Sequence, residues 1–252
     1  MTHLSPVPNV FSGRFSSGFS SVSERREYME RIKLKDRILP KYTKGEEIFN
    51  MTSHIVGAVL GVVATVLCII FAAVNSNVYG IISGSIYGVT MILLYTMSSI
   101  YHGLSPKRHS KKVFQVLDHC SIFLLIAGSY TPFALCTLRE YSAATGWTIF
   151  GVIWGIAILG IILNSIDIKK FKKFSMLCYL IMGWCIIIRG NLLPELLGMN
   201  GFILLLAGGI AYTIGAVIYA LAKKYKYSHS IFHLFILLGS FVHFICILLY
   251  VM

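Results

Sequence analysis

Asp118, His102, His229 and His233 lie inside or at the rim of segments that otherwise read as lipid-spanning helices. Ionisable side chains are expensive in hydrocarbon, so by default such residues mark a site. Asp118 is the only one of the ten carboxylates that falls well within an apolar run. His229 and His233 are spaced i, i+4, so both rings leave one helix face and can offer two nitrogens to a single ion. With His102 the set becomes three imidazoles beside a carboxylate, donor chemistry that favours zinc over magnesium or calcium. Catalytic zinc typically takes three protein ligands and keeps a position open for water.

Further polar residues flank this set. Ser98 precedes His102 by four residues and shares its face; it either bonds its own i−4 carbonyl or polarises a substrate carbonyl or holds a bound water. Glu47, Asn50 and His54 form a polar turn at the start of the first apolar run, read either as helix capping or as a hydrogen-bond network supporting the site. His119 follows Asp118 but points about 100° away on a helix, which sets it apart from the ligands. His243 is ten residues past His233, ~15 Å further along a helix, and reads as a hydrogen-bonded buried histidine. The six cysteines all fall in apolar runs with no CxxC pair, as small packing residues do.

The elements that must position these groups are membrane helices. The chain has 252 residues, 56% of them hydrophobic and 13% charged, with a mean hydropathy of +0.76. Runs of the ~20 residues needed to cross a bilayer occur at Met51–Val74, Tyr79–Gly103, Val113–Leu138, Ala143–Leu163, Phe174–Leu193, Gly198–Ala222 and His229–Val251. The expected fold is therefore an all-α bundle of seven transmembrane helices. Residues 1–47 form an N-terminal tail, partly disordered, and residues 48–252 the membrane domain. No cleavable signal is recognised, so the first span itself is expected to direct insertion.

The net charge of +12 could suggest nucleic acid, but its placement argues for topology. Nine of the 22 Lys and Arg residues precede residue 48, and the second, fourth and sixth loops hold four, four and three. The odd loops hold only Arg139 and Arg189. The positive-inside rule then puts the N-terminus in the cytoplasm and the C-terminus outside. With that orientation His102 ends the second span, Asp118 lies about 7 Å into the third, and His229 and His233 open the seventh, all near the cytoplasmic face. Gly80, Gly84 and Gly88 share one face of the second span and should allow close helix approach, a device repeated by Gly151 and Gly155 in the fourth. Pro132 should kink the third.

At the pieces EEIFNMTSH (Glu46–His54), SSIYH (Ser98–His102), LDHCSIFLLIAGSYTPF (Leu117–Phe133) and HSIFHLFILLGSFVHF (His229–Phe244), the chain resembles the hemolysin III branch of the progestin and adipoQ receptor family, which includes the adiponectin receptors. The resemblance implies a seven-helix bundle with an intramembrane Zn2+ near the inner face. His102, His229 and His233 would be its ligands, Asp118 would hold the zinc-bound water, and Ser98 would stand beside it. It also implies kinship to alkaline ceramidases, and hence a zinc-dependent hydrolase of lipid amide or ester bonds in the cell membrane, with a membrane lipid as substrate and no nucleic-acid partner. Two other readings stand beside it: a non-enzymatic receptor or sensor with a structural zinc site, and a hemolysin-like cytolytic protein.

Overall fold

In the sequence Thr43-Lys44-Gly45-Glu46, the Thr43 hydroxyl accepts the Glu46 backbone N–H at 3.3 Å and the Glu46 carboxylate takes the Thr43 N–H at 2.8 Å. This reciprocal capping box starts the first helix seven residues ahead of the first apolar run, so Glu47, Asn50 and His54 are helical. The computed structural model describes residues 34–75, 77–221 and 225–252; most of the expected tail lies outside these residues. A 3₁₀ turn, Leu34–Asp36, precedes α1 (Lys44–Val74) and α2 (Val78–Gly103). Next, α3 (His109–Pro132) runs on through a π-helical stretch, Phe133–Leu138, to Tyr141. α4 (Ala143–Trp184), a 3₁₀ stretch (Cys185–Arg189), α5 (Leu193–Leu221) and α6 (Ser228–Tyr250) complete the chain. The described residues contain no strand.

Among the described residues, six helices are long and apolar enough to cross a membrane. The expected fourth and fifth spans fall in one of them, α4, whose 42 residues would reach ~63 Å if straight, about twice the hydrocarbon thickness. It is not straight. Asp167 has extended backbone (φ −160°, ψ 105°), and its Oδ1 accepts the N–H groups of Lys169 at 2.9 Å and Lys170 at 3.2 Å, the bonding of an N-cap. Beyond it the chain folds back. Ser175 Oγ donates to Asn164 Oδ1 at 2.7 Å, and Asn164 Nδ2 donates to the Tyr179 hydroxyl at 3.4 Å; eleven residues of straight helix would hold the first pair ~16 Å apart. α4 thus consists of two arms that lie side by side.

Small residues set the helix spacing. A methyl group added at Gly80 would meet Ala72, at Gly84 Cys68 and at Gly88 Thr65, so the glycine face of α2 rests on α1 as the spacing predicts. Gly128 on α3 leaves room for Thr90 and Gly160 on α4 for the Phe123 ring. Gly151 and Gly155 do not repeat the device: an added methyl meets nothing within 4 Å at either. Both are exposed on the bundle's outside. Pro132 has no N–H to return to the carbonyl of the preceding turn, and the helix widens into the π stretch directly after it.

The interior is aromatic, and three tyrosine hydroxyls of α2 and α5 meet at Ser240 of α6. Tyr87, Tyr95 and Phe123 are fully buried. Tyr95 donates to Ser240 Oγ at 2.7 Å, Tyr87 donates to the Ser240 carbonyl at 3.2 Å, and the Tyr212 hydroxyl lies 2.8 Å from Ser240 Oγ. Aliphatic side chains such as Val59, Val66, Ile158, Ile203 and Leu238 are about half exposed, which suits an outer face solvated by lipid chains. All six cysteines are free, and none belongs to the histidine cluster described below.

Candidate metal centre

Two turns of α6 and the last turn of α2 converge at one end of the bundle. One ring nitrogen from each of His102, His229 and His233 falls within 4.8 Å of the others. The Nε2 atoms of His229 and His233 are 3.1 Å apart, close to the ~3.3 Å between neighbouring ligands of a tetrahedral ion with bonds of about 2.05 Å. Two ring nitrogens this close, with a third histidine beside them, are a donor set a metal collects, so the residues present fit zinc.

His102 has its tautomer set by a neighbour. Its Nδ1–H donates to Glu47 Oε2 at 2.6 Å, which leaves Nε2 as the free acceptor. That Nε2 is buried and has no partner among the described residues. A carboxylate behind a histidine orients a metal-binding ring and raises its basicity. The other oxygen of Glu47 accepts from Lys111 Nζ at 2.7 Å, and Lys111 also donates to the Leu104 carbonyl at 2.9 Å. Lys111 is only 1% exposed. By sequence it counted as one of four loop cations; what betrays it is spacing, since Lys111, Gln115 and Asp118 are i, i+4, i+7 on α3 and so share a face.

Asn50 and His54 are buried on α1. The His54 ring stacks on His233 with centroids 3.7 Å apart and planes 14° from parallel, so it packs against the three-histidine group without joining it. Tyr42 stacks on His229 (5.0 Å, 17°) and lies 5.6 Å from His102, closing the end of the bundle at which α1 and α6 begin. Burial holds its phenol neutral, with a pKa well above the ordinary value.

Asp118 and Ser98 stand outside the three-nitrogen group but share a wall with it, because both line the cavity onto which His229 and His233 face. Ser98 does not make the i−4 bond open to a helical serine: its hydroxyl is buried without a partner among the described residues, whereas neighbouring Ser99 donates to the Tyr95 carbonyl at 2.7 Å. His119 is not in the cluster, as its helical position predicts, but its ring is not remote: Nδ1 lies 3.5 Å from Asp118 Oδ2 while donating to the Gln115 carbonyl at 2.9 Å. The cavity, about 160 Å³, is lined by α5 and the second arm of α4, by apolar side chains such as Ile122, Leu125 and Ile236, and by His243.

The family model of haemolysin-III related proteins matches residues 42–244. This chain belongs to that family. It is 45% identical over 207 residues to Hemolysin-3 of Bacillus cereus, covering 82% of this chain and 92% of that protein. It is 39% identical over 209 residues to the Hemolysin-3 homolog of Bacillus subtilis (strain 168), covering 83% and 96%. The Monocyte to macrophage differentiation factor of Homo sapiens is similar at 28% identity over 171 residues, covering 66% and 69%. Membership in the haemolysin-III related family and the six apolar helices together make this a multi-pass integral membrane protein. The match begins at Tyr42, the residue that closes the histidine cluster, and takes in every residue of the cluster and its supports.

Proposed function

We propose that this haemolysin-III related protein is a zinc-dependent hydrolase of lipid amide or ester bonds. The observation that carries the reading is that His102, His229 and His233 bring ring nitrogens within 4.8 Å of one another, and that two of them, His229 and His233, line an apolar cavity together with Ser98 and Asp118. His102, His229 and His233 would hold the zinc. Bound there, the ion would supply a Lewis acid and lower the pKa of a water towards 7. Asp118 is placed to take the water's proton and pass it to the leaving group, and the Ser98 hydroxyl to donate to the substrate carbonyl. Glu47 keeps His102 Nε2 free, and Tyr42 shields the site where α1 and α6 begin. The apolar cavity would take an acyl chain.

The reading includes a topology. The break at Asp167 would divide α4 into two spans, for seven in all, and the lysine distribution supports an N-terminus and a site at the cytoplasmic side. A structural zinc in a receptor or sensor would require four protein ligands and no open position; Asp118 stands outside the group of three, which favours the hydrolase. Cytolytic activity is the reading suggested by the relatives' names, and haemolysis that survives removal of all three histidines would support it.

The test is turnover by the purified, zinc-loaded protein on a panel of acyl-amide and acyl-ester lipids, with metal content measured on the same sample. A protein that keeps its zinc and turns over none of them is not this hydrolase.

A further inference from the structure

Four lysines follow the break in α4, and they do not share one environment. Lys169, Lys170 and Lys173 are exposed, whereas Lys172 is partly buried. Its place on the helix accounts for the difference. Lys172, Ser175, Met176, Tyr179, Leu180 and Gly183 all line the cavity, and their steps of three and four residues are those of a single helix face. Lys172 lies at the Asp167 end of that face. Among the described residues that line the cavity, it is the one lysine or arginine.

This is also the end of the cavity at which the histidines stand. Lys172 Nζ lies over the face of Tyr219, 4.8 Å from the ring centroid, and the Tyr219 ring is in turn 5.8 Å from that of His229. The ammonium can be no farther from the His229 ring than these two steps together. Tyr219 lines the cavity as well, so the cation–π contact is made at the cavity wall. Among the described residues no carboxylate forms an ion pair with Lys172.

A ring face attracts an ammonium without accepting its three N–H donors as an anion does. Holding that charge on a largely apolar wall costs desolvation unless something in the cavity offsets it. The exposed Lys169, Lys170 and Lys173 already supply the positive charge of this flank. We propose that Lys172 binds a phosphate in the head group of the lipid substrate, a few atoms beyond the scissile bond. An ammonium is a point charge suited to phosphate oxygens. Tyr219 spaces it from His229 by one aromatic ring, which leaves room for the glycerol between an acyl ester and its phosphate. The proposal rests on the reading of this protein as a lipid hydrolase. It deepens that reading by naming the substrate class: acyl esters of glycerol phosphate in preference to neutral acylglycerols.

1-O-oleylglycerol and its 3-phosphate carry one chain on the same glycerol and differ by the phosphate alone. Being ethers, neither can be cleaved as an ester or amide. Each competes, in neutral detergent, with a fluorescent monoalkylglycerol for the zinc-loaded full-length protein. Wild type is expected to bind the phosphate about tenfold more tightly, the low end for a hydrogen bond to a charged group because Lys172 is partly exposed. Lys172→Met keeps the stem over Tyr219 and loses the charge, so it should erase the preference while keeping the binding of the neutral ether. Lys172→Arg should retain the preference. Lys173→Met removes the same charge from an exposed neighbour and should leave the preference in place. Glycerol 3-phosphate, the head group without its chain, should displace nothing at the same concentration. Four results overturn the assignment and leave the acyl-site reading intact: equal binding of the two ethers, a preference that survives Lys172→Met as a phosphate held by the zinc would, an equal loss in Lys173→Met, or displacement by glycerol 3-phosphate. Should Lys172→Met fail to fold, Lys172→Gln takes its place, and the two ethers on wild type still decide whether a phosphate is recognised. If neither ether binds wild type, the acyl-site reading falls and the role of Lys172 falls with it.

Discussion

Replacing Glu47 by glutamine should separate two quantities that the wild-type structure ties together. The carboxylate serves two donors at once, His102 Nδ1–H at 2.6 Å and Lys111 Nζ at 2.7 Å. An amide of the same shape has one acceptor oxygen and one NH₂, so one of the two donors must face another donor. Removing the partner of a metal-binding histidine typically costs 10- to 100-fold in metal affinity, or about 1.4–2.8 kcal/mol. The second effect falls on stability. Lys111, 1% exposed, would lose the negative charge opposite it and keep at most a neutral amide oxygen beside the Leu104 carbonyl, and breaking a buried ion pair costs about 3–5 kcal/mol. Because the Glu47 side chain is itself 16% exposed, the low end of that range applies. Glu47→Gln combined with Lys111→Met removes the orphaned ammonium, so it should recover most of the stability. It cannot return the carboxylate to His102, so the zinc deficit should remain. Thermal unfolding in detergent reads the first quantity, and zinc competition against a chromophoric chelator the second. The reasoning is refuted if Glu47→Gln binds zinc as wild type does, or if the double variant is no more stable than the single.

Three other outcomes follow from the geometry. Asp118→Asn keeps the size of the side chain and removes its basicity, so turnover of the lipid substrate should fall by about 10²–10⁴-fold with zinc content unchanged; loss of zinc instead would make Asp118 a ligand. Asn164→Ala strands the buried Ser175 hydroxyl and loosens Tyr179 at the reversal of α4, which should destabilise the protein by about 1–3 kcal/mol; an unchanged melting curve would deny the reversal its support. Gly88→Val must push against Thr65 and should cost about 1–3 kcal/mol, whereas Gly151→Val, with nothing within 4 Å, should stay within about 0.5 kcal/mol; equal losses at both positions would contradict the packing.

Much of this arrangement was legible because it depends on local spacing. A four-residue interval puts His229 beside His233 and Ser98 beside His102 whatever the rest of the chain does. The glycine stripe of α2 was readable for the same reason, but Gly151 and Gly155 show the limit: the same interval on α4 faces outward, since spacing names a face without naming what covers it. Thr43 and Glu46 are a readable signal too, a capping box of four residues lying ahead of the apolar run. The reversal at Asp167 was foreshadowed by the polar stretch between two apolar runs, and the residues that hold it, Asn164, Ser175 and Tyr179, could not be paired from their order.

Helical periodicity and charge distribution alone establish a membrane bundle and bring three histidines, a carboxylate and a serine to one expected depth, because both are properties of a single segment or its immediate flanks. The state of each group was decided in three dimensions. Glu47 selects the His102 tautomer from 55 residues away, Lys111 fixes Glu47 from 64 residues away, and Leu205 leaves His243 with a bare nitrogen from 38 residues away. A ring nitrogen becomes a donor or an acceptor according to the one atom opposite it, and these atoms belong to helices whose approach is set by packing across the whole bundle.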